Sequence, residues 1–316
     1  MKTKRKFVFE LIRQTSVDFL RDKVLKMASS LAYITIVALP GLLIVLIWIS
    51  SIFYDPVAVQ GKFLTNATDL LGLDNVEQLQ QLLIHSKFQY TTMWAKALGV
   101  ITLALSVTGI FGEIQDSINT IWGLSTKPRA GILKIFINRL LSFSVLISLG
   151  FILIVSLLIN AFITSLFTSI QHHFPHIPII VYYGINQLLI CIILTLLFSA
   201  IFKVLPDAKI GWKDVFLSSF FTTVLFMVGK YLIEFFLRRN ATITAYGSAG
   251  SVIIILLWVY YSSVILYLGA EFTQVYLKLK GRHIQPNKYA VWVEKKEIVV
   301  DSNTQVSKEN GENSPS

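Results

Sequence analysis

The stretch between Arg139 and Lys203 contains no Asp, Glu, Lys or Arg. A bilayer crossing takes roughly 20 apolar residues, so this stretch is long enough for two crossings. The composition agrees, because 54% of the residues are hydrophobic and only 15% are charged, whereas about 25% are charged in soluble domains. The sequence therefore predicts an integral membrane protein and excludes a soluble enzyme.

Charge-poor segments predict an all-α fold, a polytopic bundle of six transmembrane helices. The second helix is the shortest, because Lys96 interrupts its apolar run. We divide the chain into a basic segment, 1–27, a transmembrane domain, 28–276, and a tail, 277–316, which turns polar and is expected to be disordered after about residue 296. The six predicted helices are 28–53, 94–111, 140–167, 179–202, 215–237 and 247–270.

Loop charges predict the orientation of this bundle. Eight Lys and Arg residues precede the first helix, and the loops after the second and fourth helices are basic as well. The loop 54–93 instead holds four acidic residues and two lysines. By the positive-inside rule, both termini are cytoplasmic. Topology thus accounts for the net charge of +10, and we expect no nucleic-acid partner.

Two segments outside the predicted spans have helical patterns. In 1–27, apolar residues recur at near-helical spacing among basic ones, which predicts an amphipathic helix on the anionic inner leaflet; a solvated basic lead-in is the alternative. In the extracytoplasmic loop, Asp74 is a candidate N-cap with Glu77 three residues later, so a short helix is expected there. The apolar positions of the basic segment are Val8, Leu11, Ile12, Phe19 and Leu20.

The stretch "GKYLIEFF" places Lys230 and Glu234 one turn apart within the fifth predicted span. An ionisable group at bilayer depth costs at least about 2.5 kcal/mol, so it usually faces a cavity or a partner. If Glu234 pairs with Arg238, Lys230 can hold an anionic headgroup or a substrate carboxylate. The alternative is a snorkelling lysine in an ion-paired helix end. With polar Asn160 and Gln187 in neighbouring spans, these residues form our candidate substrate path.

A second set of charges lies at the predicted inner ends of the spans. These residues form either a cytoplasmic gate that changes partners or a set of interfacial anchors. The set consists of Glu113, Arg139, Lys203 and Glu271. Small and hydroxyl residues also recur on single faces of the spans, for example Thr195 and Ser199 or Ser219 and Thr223, where helix packing is the ordinary explanation.

The residues that catalysis or metal binding would need are sparse. Three of the five histidines, His172, His173 and His176, lie in "QHHFPHIP" without a nearby carboxylate, and a metal-dependent nuclease needs both. No nucleotide-binding lysine loop, nucleophile elbow or dinucleotide fingerprint is present. We therefore predict a protein without cofactor or metal that is not an enzyme.

Four segments carry a resemblance to a known family: "YGSAGSVIIILLWVYYSSVILYLGAEFTQVY", "LPDAKIGWKDV", "INTIWGL" and "MASSLAYITIVALPGLL". Together they resemble the YihY/BrkB family of bacterial inner-membrane proteins over about residues 10–280. The resemblance implies six spans, cytoplasmic termini and a bacterial cell membrane. The family has been labelled both virulence factor and ribonuclease, and the histidines do not support the second label. The residues matching its pattern include Asn119, Trp122, Tyr246, Gly247, Gly250, Gly269 and Glu271.

These observations predict a transporter or flippase-like conduit for an amphiphile or small anion, acting in envelope maintenance. A proton gradient acting through Glu234, Glu113 or Glu271 is the expected driving force. The expected partners are membrane lipid and a small-molecule or lipid substrate, with no particular oligomeric state implied. The alternative is a non-transporting scaffold or regulator of the envelope.

Overall fold

The structure is a computed structural model that describes residues 2–53, 93–126, 179–239, 248–288 and 290–293. Helices dominate these residues, as the sequence predicted, and four short strands join them. The elements are α1 (Lys2–Arg21), α2 (Val24–Phe53), α3 (Met93–Ile121), β1 (Leu124–Thr126), α4 (Ile179–Val204), β2 (Ala208–Lys209), α5 (Trp212–Arg239), α6 (Ser248–Leu279), β3 (Gln285–Pro286) and β4 (Ala290–Trp292).

Three helices in this part of the chain contain segments long and apolar enough to cross a membrane: Gly184–Val204, Trp212–Ile233 and Val252–Leu279. A shorter apolar segment, Val24–Ala38, opens α2. The predicted spans 28–53 and 94–111 fall almost entirely within α2 and α3, and α2 stays helical through Pro40. The predicted span 140–167 and the loop helix from Asp74 lie outside the described residues. The protein is a helical membrane protein, and the count of six spans stays a prediction.

Helix α6 is central, because it packs against α1, α2, α3 and α5. Helix α4 packs on α5, and α2 packs on α3. A side chain at Gly269 would overlap the Thr222 hydroxyl, so glycine permits α5 and α6 to approach closely. At the other end of the same contact, Gly229 makes room for Tyr261, whose hydroxyl donates to the Leu225 carbonyl at 3.0 Å.

The small polar residues of α4 and α5 face inward. The Thr195 and Thr223 hydroxyl oxygens lie 3.2 Å apart, and Ser199 and Ser219 are also buried. The prediction that these hydroxyl residues line helix contacts is therefore confirmed. The outward faces are apolar, as expected for helices surrounded by acyl chains. Exposed apolar residues include Leu188, Ile192 and Leu196 on α4 and Phe220, Val224 and Val228 on α5.

One end of the bundle carries a layer that the sequence did not predict. We call residues 122–126, 205–211 and 280–293 the strand platform. Within it β1 pairs with β4 and β2 pairs with β3, both antiparallel. Two glycines with positive φ start the turns into it: Gly123 (φ 66°) after α3 and Gly281 (φ 68°) after α6. The Arg282 amide closes α6 by donating to the Leu277 carbonyl at 2.9 Å, a Schellman-type C-cap.

Long-range side-chain bonds tie the platform to the helix ends. Asn119 Nδ2 donates to Asp207 Oδ2 at 3.3 Å, and the Asp207 amide donates to Asn119 Oδ1 at 2.9 Å. Trp122 Nε1 donates to the Ala270 carbonyl at 3.0 Å. Arg282 binds both carboxylate oxygens of Asp214, at 2.7 and 2.8 Å. The segments after α3, α4 and α6 therefore meet at one end, as the loop charges predicted; the side of the membrane on which they lie stays a prediction.

Candidate functional site

Helix α1 docks against the platform end of α6 and presents two apolar faces. Leu11 is buried in the core, and Thr15 and Asp18 are buried beside it. Val8, Ile12 and Leu20 are exposed. The apolar stripe that the sequence predicted is therefore divided between a contact with the bundle and a free face. The helix itself is confirmed, and its contact with a lipid surface stays a prediction.

The junction between α1 and α2 brings acidic side chains to α6. Lys23 has a positive φ of 57°, and the Asp22 amide closes α1 on the Asp18 carbonyl at 2.8 Å. This left-handed residue ends α1 and lets α2 begin at Val24. As a result, Asp18 and Asp22 lie near Glu271 of α6, closely enough to interact with it electrostatically.

Glu271 is completely buried, with 0% of its surface exposed. Neither of its carboxyl oxygens accepts a hydrogen bond from an N–H or O–H donor among the described residues. Asp22 lies close enough to share a hydrogen bond with it when one of the two carboxyls is protonated. A buried charge is stable only when it is paired or hydrogen-bonded. Glu271 therefore lacks the protein contacts that would make it an ordinary structural anchor.

The positive charge of Arg21 pairs with the two aspartates rather than with Glu271. Arg21 Nη2 lies 3.0 Å from Asp18 Oδ1, and Arg21 Nε lies 3.5 Å from Asp22 Oδ1. We call Asp18, Arg21, Asp22 and Glu271 the Glu271 cluster. It contains three carboxyl groups and one guanidinium group, so acidic groups outnumber basic ones in it. No group of three His, Cys, Asp or Glu within the described ranges is arranged to hold a metal ion.

A second buried polar residue continues the α6 face one turn earlier. Tyr267 is 0% exposed, and its hydroxyl approaches Ser117 of α3 without a hydrogen bond of normal geometry. Glu113 and Asp116 of α3 act on it electrostatically. Tyr267 therefore extends the polar interior from the Glu271 cluster toward α3.

The predicted inner gate is only partly assembled. Lys203 does not contact Glu271; its ammonium donates to the Ile210 carbonyl and lies 5.5 Å from the centre of the Trp212 ring. Glu113 is half-buried and belongs to the surroundings of Tyr267. Arg139 lies outside the described residues. Lys203 thus has the contacts of an anchor, whereas Glu271 does not.

The predicted substrate path lies toward the opposite end of α4 and α5. Because α4 and α5 are antiparallel and Thr195 meets Thr223, Gln187 lies roughly level with Lys230. Gln187 is half-buried and Lys230 is exposed, with an interaction of its own. Asn160 and the side chain of Glu234 lie outside what the structure describes, so a path through these residues stays a prediction.

Four of the residues that carried the family resemblance lie near the platform. Asn119, Trp122 and Gly269 make the contacts given above, and Glu271 lies one residue beyond the carbonyl that Trp122 binds. Gly250 lies in the first turn of α6, whereas Tyr246 and Gly247 lie outside the described residues. Three of these residues thus have structural contacts, and Glu271 stands apart from them.

Sequence reasoning missed Asp18 and Asp22 as members of a site. Both belong to a segment interpreted only by its basic residues and its apolar stripe. Their spacing of four residues puts them on one helical face, which was the available signal. Their proximity to Glu271 depends on how α1 docks, and sequence spacing does not predict that.

Comparisons with known proteins agree with the resemblance. A family model described as virulence factor BrkB matches residues 15–290. A UPF0761 membrane protein of Ralstonia nicotianae is 26% identical over 191 residues, covering 58% of this chain and 40% of that protein. The putative ribonuclease-like protein YfkH of Bacillus subtilis is 25% identical over 189 residues, covering 58% and 66%. A UPF0761 membrane protein of Psychromonas ingrahamii is 23% identical over 285 residues, covering 86% and 92%.

In the first two of these relatives, the chain spans less than two thirds of the relative's own length. No solved structure matches the chain.

Proposed function

This chain belongs to the virulence factor BrkB family, and from that premise we propose that it is a proton-coupled membrane transporter or flippase-like conduit. The substrate would be an amphiphile or a small anion, and the location would be the bacterial cell membrane with both termini cytoplasmic. The activity would be non-enzymatic; the ribonuclease-like label belongs to the Bacillus subtilis relative.

The observation that supports the proposal is the burial of the Glu271 carboxyl without a described hydrogen-bond donor. It lies on α6 within a segment long enough to cross a bilayer, about 12 Å along the helix from Leu279 at 1.5 Å per residue. It is fully buried, and its oxygens accept no hydrogen bond from an N–H or O–H donor among the described residues. Ionisable groups at such positions are typical of ion pathways and proton relays.

A proton suits the Glu271 cluster better than a metal ion does. The carboxyls of Asp18 and Asp22 add negative charge around Glu271, while Arg21 already forms ion pairs with both of them. Binding a proton needs no coordination shell, and the described acidic residues do not form one. The side chains of Asp18 and Asp22 are 11% and 18% exposed, so they lie between the surface and the fully buried Glu271. A proton reaching Glu271 would therefore pass the α1–α2 junction.

The test measures lipid movement in proteoliposomes under an imposed proton gradient. The probe is phosphatidylglycerol with a fluorescent headgroup, and dithionite reports its exposure on the outer leaflet. We expect the wild-type protein to accelerate movement in one gradient direction, and Glu271→Gln to remove that dependence. Glu10→Gln is the matched control, because Glu10 is an α1 carboxylate that pairs with Arg13 on the surface.

Two results would count against the proposal. One is wild-type lipid movement no faster than in empty vesicles under either gradient, together with no gradient-driven uptake from a panel of small anions. The other is a Glu271→Gln protein that transports like wild type with the same gradient dependence. Size-exclusion profiles and thermal unfolding establish that each variant is folded.

The alternative, a non-transporting scaffold, is favoured by a different observation. The platform joins three segments rigidly and exposes Val291, Trp292 and Val293 in a row. A partner-binding surface needs rigid exposed aromatic residues of this kind. In that case Glu271→Gln would leave lipid movement unchanged, and Trp292→Ala would release a partner captured from membranes.

A further inference from the structure

The strand platform contains a cavity of about 390 Å³, separate from the Glu271 cluster. Its walls come from the end of α3, the last turns of α6 and the chain between α6 and the end of β4. This volume is at the lower end of the range for small-molecule sites, about 300 to 1,000 Å³. The cavity is open on one side and is of a size to hold a small metabolite or a lipid headgroup.

The charged side chains that line the cavity are all basic or protonatable: Lys278, Arg282 and His283. No carboxylate is among the described lining residues. Arg282 uses two of its five N–H donors on Asp214, which orders the guanidinium group and leaves other donors available. Lys278 and His283 are exposed, and neither belongs to an ion pair between described residues. The cavity is thus suited to an anion.

Two tryptophans form flat, fixed walls. Trp122 Nε1 donates to the Ala270 carbonyl, and Trp292 Nε1 donates to the Ile284 carbonyl at 2.9 Å. With both indole N–H groups engaged, the rings are held in place. Trp292 is 55% exposed and offers apolar surface to a ligand, whereas Trp122 is buried and supports the wall. The His283 ring lies 5.8 Å from the Trp292 ring. Rigid indole surfaces bind planar rings and sugar C–H groups well.

One lining residue has an unused acceptor. Gln274 Oε1 is buried and has no hydrogen-bond partner among the described residues. A buried carbonyl without a donor costs about 1 to 3 kcal/mol. This oxygen is covered in the unliganded cavity, so a rotation of the Gln274 amide would bring it to the hydroxyl or amino donor of a ligand. The ligand's anionic group and its donor therefore have separate recognition sites in one cavity.

The backbone around the cavity is fixed before any ligand binds. The Val293 amide donates to the Gly123 carbonyl at 2.9 Å, which extends the β1–β4 pairing to the cavity wall. Gly123 has a φ of 66°, which a residue with a side chain adopts only with strain. A cavity that is formed in advance loses less free energy on ordering when it binds.

We propose that this cavity binds a phosphate ester whose carrier has a hydroxyl or amino donor and a flat face. Lys278, Arg282 and His283 would contact the phosphate, Gln274 would accept from the carrier, and the indole of Trp292 would cover its face. The same chemistry occurs in a soluble nucleotide and in a phospholipid headgroup. The site is independent of the Glu271 cluster and of the proposed transport.

The test is calorimetric titration of the full-length purified protein with three probes. They are adenosine monophosphate, inorganic phosphate, and nanodiscs with or without phosphatidylglycerol. Lys278→Gln should weaken binding of the preferred probe about tenfold, because it removes a charge-assisted hydrogen bond. The matched control is Lys280→Gln, which removes the same charge from the same helix end, where Lys280 contacts the Tyr276 ring instead. It should change affinity less than about twofold, the residual effect of a screened surface charge.

A second variant separates the phosphate site from the carrier site. Gln274→Leu should weaken the binding of adenosine monophosphate about tenfold and leave the binding of inorganic phosphate unchanged, since only the carrier uses this acceptor. Its unfolding temperature should not fall, because the lost carbonyl has no partner in the described structure. Tighter binding of phosphatidylglycerol nanodiscs than of adenosine monophosphate would identify the ligand as a lipid headgroup. Saturable binding of no probe, or equal binding by wild type and Lys278→Gln, overturns the proposal.

Discussion

The two ends of the bundle are built differently. At the platform end, buried polar residues such as Asn119, Asp207 and Trp122 make specific bonds between elements far apart in sequence. Toward the opposite end of α4 and α5, exposed apolar side chains such as Leu188 and Val228 predominate, and Lys230 is exposed. Acyl chains can solvate the second region but not the first, because hydrocarbon offers no hydrogen bonds.

The comparison changes the ranking of the ionisable residues. Lys230 and Glu234 are conspicuous in the sequence because their neighbours are apolar. Glu271, which the sequence presents as one of several helix-end charges, is the fully buried one without hydrogen bonds in the described structure. Burial and partners identify a functional candidate better than an apolar sequence neighbourhood does.

Overpacking the α5–α6 contact at Gly269 should produce the largest loss of stability. A methyl group there would overlap the Thr222 hydroxyl, which is bonded to the Ser218 carbonyl at 2.8 Å. We expect Gly269→Ala to lower the free energy of unfolding by about 3 kcal/mol. Denaturant titration in detergent measures this. Gly112→Ala is the control, because no atom lies within 4 Å of that position; equal effects would show that the contact is not tight.

Removing Asn119 tests whether the platform bonds stabilise the protein. Asn119→Ala leaves the buried Asp207 amide without its partner and removes a bond to the Asp207 carboxylate. The expected loss is about 2 kcal/mol, measured as a lower unfolding temperature. Asn287→Ala changes an exposed asparagine of the same platform and should have little effect. A stable Asn119→Ala protein would mean that the platform is not important for stability.

Glu271→Gln should not destabilise the protein, in contrast to Asn119→Ala. The substitution keeps the size of the side chain and removes a titratable carboxyl that lies near Asp18 and Asp22. We expect the free energy of unfolding to change by no more than about 1 kcal/mol, since a buried carboxyl beside other carboxyls takes up a proton, and an amide then replaces a neutral group of the same size. Thermal unfolding at neutral pH measures it. A clear loss of stability would indicate that Glu271 has a structural partner and would weaken its candidacy as a proton site.

The smallest effect is expected at Lys230. Its side chain is exposed, so Lys230→Met should change the free energy of unfolding by no more than about 0.5 kcal/mol. The same variant tests the substrate-path prediction. If Lys230 binds a lipid headgroup, the Lys230→Met protein should lose lipid movement while its stability stays the same. Unchanged stability together with unchanged lipid movement would leave Lys230 as a surface residue.

Much of the fold was predictable, because membrane helices leave a strong compositional signal. The absence of charge between Arg139 and Lys203 predicted the segment that contains α4, and the run that forms α5 was located within three residues. Helix α6 begins one residue from its predicted start, 247, but continues nine residues past its predicted end, 270. The hydroxyl residues of α4 and α5 were predicted to pack inward, and they do. The platform was missed because its strands are only two or three residues long and are stabilised by distant partners.

The candidate site was only partly predictable. Glu271 was singled out by its position at a helix end and by the family pattern. Asp18 and Asp22 were not, since the spacing in one helix says nothing about which other helix it meets. The cavity beside Lys278 was also missed, because its walls come from residues more than 150 positions apart.

The sequence by itself determined that this chain lies in a membrane and which segments form its apolar helices. It also determined that the segments after α3, α4 and α6 share one end. The reason is that the transfer of charge into hydrocarbon is costly in any fold. Only the tertiary structure decided which carboxyl is buried without a hydrogen-bond donor and which basic residues line a cavity. Those properties depend on the docking of α1 and on the pairing of short strands, and both are set by contacts between distant parts of the chain.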